Sequence, residues 1–550
     1  MPPALGMTPC MAHSGGMQLT FLGGAQTVTG SRFLLTTERA NVLIDCGMFQ
    51  GSPNESIRNR IPLGFEPATL DAILVTHAHL DHCGLLPIAV REGFNGPIYL
   101  TSATAELAEL VLLDSGRLHE EFAKRHARWE RRNPEKAVED DEEDAEAYQA
   151  ALDEAEAADA LNHVPTTVEP EPPSDYDPEA ELRAQPPELI VDLDAPLYTE
   201  REAKAVPPLF KRVRYDRETE VAPGVWATYV DAGHILGSAI IRLRVRDGDP
   251  ETEQTIVFSG DLGRPGTPIL RDPTSVHEAD YVVVESTYGG REHEPSQEAT
   301  RVLAQVIREV AAAKGVLLVP SFAIGRTQEV VWELDRMIDR GDIPLLPLYL
   351  DSPMATAATE IYRRHPEFYD AETSRILARG GTPLDYPRQT ITRRVAESKA
   401  IERAERPYMI VASNGMLTGG RGVAHLRNLI DDPKATLLFV GYQGQGTLGA
   451  HLQAGARTVR IDGQVRTVRC RVRSISGFSA HADESELLDW IGRFGAGKQP
   501  GQAGYPRTVF LVHGDPDAQV VIAPKVEALG FRVHIPRWRE RVELGVRDGP

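Results

Sequence analysis

The stretch VTHAHLDHCG, residues 75–84, gathers four metal-competent side chains, His77, His79, Asp81 and His82, directly after the apolar run LDAILV. Imidazole nitrogens and carboxylate oxygens at this density suit zinc. Alternate residues at a strand end point the same way, so His77 and His79 can share one ion, and a turn brings Asp81 and His82 to an adjacent position. Buried without a metal, the group would strand several polar nitrogens at a cost of about 1–3 kcal/mol each. Four later apolar runs end in the same residue types: DAGHILG with His234, FSGDLG with Asp261, FSAHAD with His481 and Asp483, and LVHGD with His513. Glycine or small residues flank each, where backbones can approach closely. An aspartate can bridge two ions through its two oxygens, and two ions about 3.5–4 Å apart stabilise both the attacking and the leaving oxygen of a phosphodiester. The pattern reads as a two-metal hydrolytic site drawn from distant strand ends.

The elements that must position these groups follow from periodicity. QLTFLGGAQTVTGSRFLLTT and NVLIDCG alternate apolar stretches with glycine turns and suit an antiparallel sheet. LDAILV and GPIYLTS read as buried strands, and ATAELAELVLLDSGRLHEEF has helical spacing at Leu107, Leu110, Val111 and Leu118. Strand-like runs return at VWATYVDAGH, AIIRLRV, TIVFSGD and YVVVEST. From about 290, helix and strand alternate through TRVLAQVIREVAAAKG, VLLVPSF, TQEVVWELDRMID, LPLYLDS, YMIVAS and TLLFV, a parallel α/β pattern. No repeat of 20–50 residues is visible.

Composition sets the frame. A chain of 550 residues exceeds one ordinary core, so two domains with insertions are expected. The first 16 residues read as a leader without signal-peptide character, and no apolar run is long enough to cross a membrane. Cys10, Cys46, Cys83 and Cys470 are widely spaced, which fits free thiols in a reducing cytoplasm. Cys46 and Cys83 read as small packing residues. The net charge of −21 is concentrated: residues 139–192 hold 19 acids against the single Arg183, a local −18 that leaves −3 for the remainder. The acidity therefore does not exclude a nucleic-acid substrate for the body. With few apolar residues to bury, the segment is expected to be a solvated insertion, dispensable for chemistry.

THAHLDHCG resembles the HxHxDH motif of metallo-β-lactamase-fold hydrolases, and Asp45, HAHLDH, His234 and Asp261 follow that superfamily's motif order. ESTYGGREH, SNGM, GFSAHAD and LVHGD resemble the β-CASP branch of RNA and DNA nucleases, most nearly the bacterial and archaeal homologues of the endonuclease subunit of the cleavage and polyadenylation specificity factor. The resemblance covers about 17–550 apart from the acidic insertion. It implies an α/β fold, a metallo-β-lactamase αββα sandwich carrying an inserted β-CASP domain. The expected limits are 17–289 for the first metallo-β-lactamase part, with the insertion at about 120–205, then 290–455 for the β-CASP domain and 456–550 for the return. It further implies two zinc ions per chain. His77, His79, His234 and Asp261 would hold one ion, and Asp81, His82, Asp261 and His513 the other. Asp45 would orient a ligand or a water. Glu285 and His481, with Asp81 among the catalytic groups, would serve the reaction, and the first two would protonate the leaving oxygen. Gly477, Phe478, Ser479, Ala480 and His481 would border the scissile phosphate.

Weaker signals accompany these. Arg326 at a helix start and Ser413 after a strand are candidates to meet phosphates, whereas Thr327 and Asn414 suit capping and turn formation equally well. GYQGQGTLG follows no nucleotide-binding pattern and reads as a turn, and His293 is either a support for the site or a loop residue. The leading function is a zinc-dependent ribonuclease acting on single-stranded RNA, with no membrane partner. DNA cleavage is the alternative within the family, although its DNA-repair members tend to carry valine where this chain has His513. A non-catalytic RNA-binding subunit is the alternative from another class, and such homologues usually lose ligands that are all present here. Cleavage is expected to be endonucleolytic, in RNA processing or decay, with exonucleolytic action and homodimerisation left open.

Overall fold

The computed structural model describes residues 16–545, except 52, 163–191, 249–251, 442 and 445. The expected leader lies almost wholly outside these residues. Two seven-stranded sheets face one another. The first runs, in spatial order, Glu540–Leu544, Met17–Gly23, Arg32–Thr36, Asn41–Ile44, Ala72–Leu74, Ile98–Thr101, Phe210–Val213. The second runs Val533–His534, Thr508–Val512, Tyr281–Glu285, Thr252–Phe258, Ala239–Asp247, Val225–Asp231, Thr219–Ala222. Phe21, Phe33, Ile44, Tyr229, Phe258 and Phe510 fill the space between them. Phe21 and Phe510, one from each sheet, bring their ring centroids to 5.1 Å. Removal of such side chains from water, worth about 1.5–3 kcal/mol apiece, is what holds the sheets together. Helix Ser102–Glu130 covers the outer face of the first sheet, and helices Glu484–Ile491 and Pro516–Ala528 cover that of the second. This is an αββα sandwich.

A third sheet of six strands runs Gln389–Ile391, Leu348–Asp351, Tyr408–Ala412, Val316–Pro320, Ala435–Phe439, Arg471–Ser474. All its pairings are parallel, so the carboxyl ends of the strands point the same way. Its fully buried strands, such as Val316–Pro320 and Tyr408–Ala412, are covered on both faces, which explains their unbroken apolar runs. Strand Arg471–Ser474 joins this sheet from beyond residue 455, past the limit expected for the inserted unit.

The first part of the acidic segment corrects an expectation, while its residues 163–191 lie outside the described residues. Helix Pro134–Ala160 is not a solvated rod. Ala151 and Ala155 are buried, and with Tyr148 and Leu152 they pack on Phe49, Ile61 and Trp538. Arg58 pairs with Glu154 at 2.7 Å and Arg539 with Asp159 at 2.7 Å. Positions 148, 151, 152 and 155 form an i, i+3, i+4, i+7 stripe, so the helix is amphipathic through small side chains. Ala155→Asp is expected to destabilise the protein by about 2–3 kcal/mol, because a carboxylate would enter an apolar seam that has no room for it. Chemical denaturation followed by tryptophan fluorescence measures this, and an unchanged midpoint would show that the helix does not stay docked in solution.

Candidate metal centre

The first sheet delivers Asp45 and the HAHLDH segment. Strand Ala72–Leu74 ends before the histidines, so His77 and His79 converge from a loop and not from strand alternation. Asp81 and His82 stand on the short helix Leu80–Cys83. Gly47 lets the Asp45 loop close on that helix, since a Cβ there would lie 1.7 Å from the Asp81 carbonyl oxygen. Asp45 has a φ of 59°. One of its oxygens accepts from the Thr76 amide at 2.8 Å, and the other accepts from Thr76 Oγ1 at 2.8 Å and His82 Nδ1 at 2.7 Å. A carboxylate only accepts, so Nδ1 of His82 carries the proton and Nε2 is presented inward.

The second sheet delivers the remainder from the ends of neighbouring strands. His234 follows strand Val225–Asp231, Asp261 follows Thr252–Phe258, Glu285 ends Tyr281–Glu285, and His513 follows Thr508–Val512. Gly263 permits the Asp261 and His234 loops to meet, because its Cβ would fall 1.9 Å from the Gly233 carbonyl oxygen. His234 Nδ1 donates to the Ala480 carbonyl at 3.1 Å, and His513 Nδ1 lies 2.9 Å from Ser31 Oγ. Each of these histidines is thus held by one nitrogen and faces the centre with the other.

Asp261 is the middle of the arrangement. Its Oδ2 lies 3.4 Å from His77 Nε2 and 3.6 Å from His234 Nε2, whereas its Oδ1 lies 3.2 Å from His82 Nε2 and 3.4 Å from His513 Nε2. His79 Nδ1 completes the first group, 3.1 Å from His77 Nε2 and 3.2 Å from His234 Nε2. Ligand atoms of His77, His79, His234 and Asp261 all fall within 4.8 Å of one another, as do those of Asp81, His82 and His513. His82 Nε2 and Asp261 Oδ1 are buried with no hydrogen-bond partner among the described residues. Orphaned lone-pair atoms at the centre of converging donors fit a cation.

The electrostatics agree at four of the five histidines of these two groups. Burial pushes His77 and His234 well below the ordinary histidine range, His79 down to about 4 and His513 down to about 3. They are neutral at physiological pH, which is the form that binds metal. Burial acts the same way on His82, but Asp261 and Asp45 outweigh it and raise its pKa well above the ordinary value. Burial also raises Asp81 to about 6.

Beside the centre stands a second pair. Glu285 is fully buried, accepts from the Leu262 amide at 2.6 Å and Thr287 Oγ1 at 2.6 Å, and meets His481 Nδ1 at 3.1 Å. His481 Nε2 lies 4.0 Å from Asp261 Oδ2. Burial lowers the His481 pKa, but the carboxylates of Glu285, Asp261 and Asp81 together raise it to about 9.

Other sequence candidates are placed variously. The segment Gly477–His481 lies against the centre through the Ala480 carbonyl and His481, while Phe478 points into the core of the third sheet. Arg326 is buried and paired with Glu329, so its charge is already compensated. Ser413 Oγ bonds Ser352 Oγ at 2.9 Å. Thr327 Oγ1 donates to the Phe322 carbonyl at 2.7 Å without capping helix Arg326–Arg340, and Asn414 Oδ1 accepts from the Met416 amide at 2.7 Å in a turn. His293 lies 3.2 Å from the His481 carbonyl through Nε2. Cys46 and Cys83 are buried packing residues.

Sequence reasoning missed Ser31, Thr76 and Arg264. Arg264 donates to the Gly477 carbonyl at 2.8 Å and pairs with Glu486 at 3.1 Å, tying the loop after Asp261 to the His481 loop. The only signal was its place three residues after Asp261.

This geometry agrees with what comparison shows. Residues 28–320, more than half of the chain, match the family described as the metallo-beta-lactamase superfamily. The chain belongs to that superfamily. Residues 327–452 match the Beta-Casp domain, and residues 466–536 match the Zn-dependent metallo-hydrolase RNA specificity domain. The chain is 34% identical to Ribonuclease TTHA0252 of Thermus thermophilus, over 96% of this chain and 100% of that protein. It is 30% identical to the transcription termination factor FttA of Methanosarcina mazei, over 94% of this chain and 70% of that protein. The homologue of that name in Methanocaldococcus jannaschii is 28% identical, over 93% and 69%. The enzyme is a metal-dependent hydrolase with a β-CASP insert. No helix among the described residues is long and apolar enough to cross a membrane.

Proposed function

We propose that this enzyme is a two-zinc ribonuclease that cleaves single-stranded RNA endonucleolytically in the cytoplasm. The observation that carries the reading is the division of Asp261, one oxygen facing each group of histidines. His77, His79 and His234 with Asp261 would hold one ion, and Asp81, His82 and His513 with Asp261 the other. Ions bound there would supply the positive charge that activates water and neutralises a phosphodiester in its transition state. The protein does the rest. Asp45, Ser31 and the Ala480 carbonyl fix the imidazoles. Glu285 holds His481 charged, and His481 delivers its proton to the departing oxygen. The inserted domain, taken as 290–455 and extended by strand Arg471–Ser474, would cap the centre and confine the RNA. The ribonuclease named among the relatives and the RNA specificity domain support RNA as substrate.

End-labelled RNA and DNA of the same sequence, incubated with and without chelator, test the reading. Internal cuts in RNA alone are expected, lost on chelation and restored by zinc, with about two zinc ions per chain by elemental analysis. Full activity in protein devoid of transition metal would sink it.

A further inference from the structure

The chain is acidic overall, yet residues 457–473 carry six arginines, Arg457, Arg460, Arg466, Arg469, Arg471 and Arg473, against one acid, Asp462. No lysine is among them. All but Arg466, which is half-buried, are exposed. Arg466 meets Asp431 at 2.9 Å and Arg471 meets Glu309 at 3.6 Å, while Asp462 is itself occupied by Arg427 at 2.8 Å. Arg457, Arg469 and Arg473 make no ion pair among the described residues.

Their placement is ordered. Exposed Arg469, Arg471 and Arg473 alternate with buried Cys470 and half-buried Val472. Arg471 and Arg473 stand on strand Arg471–Ser474, where two residues advance about 6.6 Å, a spacing comparable to that of phosphates along an extended strand. Arg469 precedes the strand across a bend at Cys470, where the Arg469 and Cys470 amides both donate to the Ile430 carbonyl. Strand Arg471–Ser474 is the edge of the third sheet, paired only with Ala435–Phe439 among the described residues. The chain then leaves the sheet as Ile475 and Ser476 and reaches Gly477–His481 at the metal centre. The arginine row therefore leads, along one continuous piece of backbone, to the group placed at the leaving oxygen.

We infer that Arg469, Arg471 and Arg473 form a track for the phosphate backbone of the RNA that flanks the scissile bond. This rests on the ribonuclease reading and specifies where the substrate lies outside the centre. Guanidinium groups suit the task because they bind phosphate with two parallel hydrogen bonds and stay charged. Such contacts are electrostatic and independent of sequence, so they act on binding of long substrates and not on the chemical step.

The test uses the full-length zinc enzyme with Arg469→Ala/Arg473→Ala, both exposed and outside any ion pair among the described residues, and single-stranded RNA of about 6 or about 25 nucleotides, a range spanning typical single-strand sites. KM for the long RNA should rise about tenfold, with kcat for both RNAs and KM for the short RNA unchanged. The slope of log affinity against log salt for the long RNA should weaken by about 1.4, or about 0.7 for each phosphate that no longer meets a guanidinium. Arg469→Lys/Arg473→Lys should recover most of the affinity. An unchanged KM on long RNA overturns the track, and so does an equal loss on both RNAs, which would place the arginines at the centre itself. Unchanged RNA kinetics accompanied by loss of self-association would overturn it too, assigning the patch to an acidic surface on a second copy of the chain. Failure of the wild-type enzyme to cleave either RNA would refute the ribonuclease reading, a result separate from any effect of the variants.

Discussion

Asp261→Ala should leave the protein unable to hold its metal and slow RNA cleavage by about 1000-fold or more, the scale expected when the electrostatic centre of a hydrolase is dismantled. Each carboxylate oxygen of Asp261 faces a different set of histidines, so on the two-ion reading one substitution would remove a ligand from both positions. The remaining donors are neutral imidazoles for the most part, and Asp261 is their shared negative partner. Four histidines would lose the carboxylate now within 3.6 Å of a ring nitrogen. Metal content by elemental analysis and affinity by chelator competition are the deciding measurements, since activity alone would not separate metal loss from faulty chemistry. Two tightly held ions in Asp261→Ala would refute the bridge. Asp45→Ala should act more mildly, by about 10–100-fold in metal affinity, because it removes only the group that orients His82.

His481→Ala should behave in the opposite way, keeping both ions and RNA binding while cleaving about 100-fold more slowly or worse, the usual range for loss of a general acid. His481 Nδ1 is engaged by Glu285, which leaves Nε2 as the atom able to donate toward the centre. Glu285 is anchored by the Leu262 amide and the Thr287 hydroxyl, so it cannot swing away from the imidazolium it stabilises. Burial opposes the charge on His481, but Glu285 and its neighbours raise the pKa to about 9. A general acid works in its protonated form, so kcat should fall as pH rises through that pKa. Cations held at Asp261 would pull the pKa down, so the falling limb is expected at or below about pH 9. The same pairing contributes to stability below the ordinary histidine pKa and loses that contribution as pH rises through the folded value. The pH profile of His481→Ala should lack the falling limb. If the variant strips metal, His481 is a ligand; if it cleaves at the normal rate, the proton comes from elsewhere.

The sequence by itself determined the composition of the centre. His77, His79, Asp81 and His82 fall within six consecutive positions, and Asp45, His234, Asp261 and His513 each close an apolar run beside small residues. Such signals are local, and the chemistry of the side chains narrows what they can do. The parallel third sheet was legible for the same reason, since buried strands such as VLLVP and YMIVA stand between helices of clear period. The helical stripe Tyr148, Ala151, Leu152 and Ala155 was also present in the sequence, but alanines carry so little apolar area that the surrounding acids concealed it.

Only the tertiary structure decided how donors pair and which candidates are already occupied. Ser31 reaches His513 across 482 residues, and Arg264 reaches Gly477 across 213. No periodicity encodes such contacts, because they depend on the way two sheets and their loops close on each other. The division of the Asp261 oxygens and the neutralisation of Arg326 by Glu329 follow from the same packing. Residue type limits what a side chain can do, whereas desolvation and the atoms brought against it settle what it does. Both depend on the folded chain.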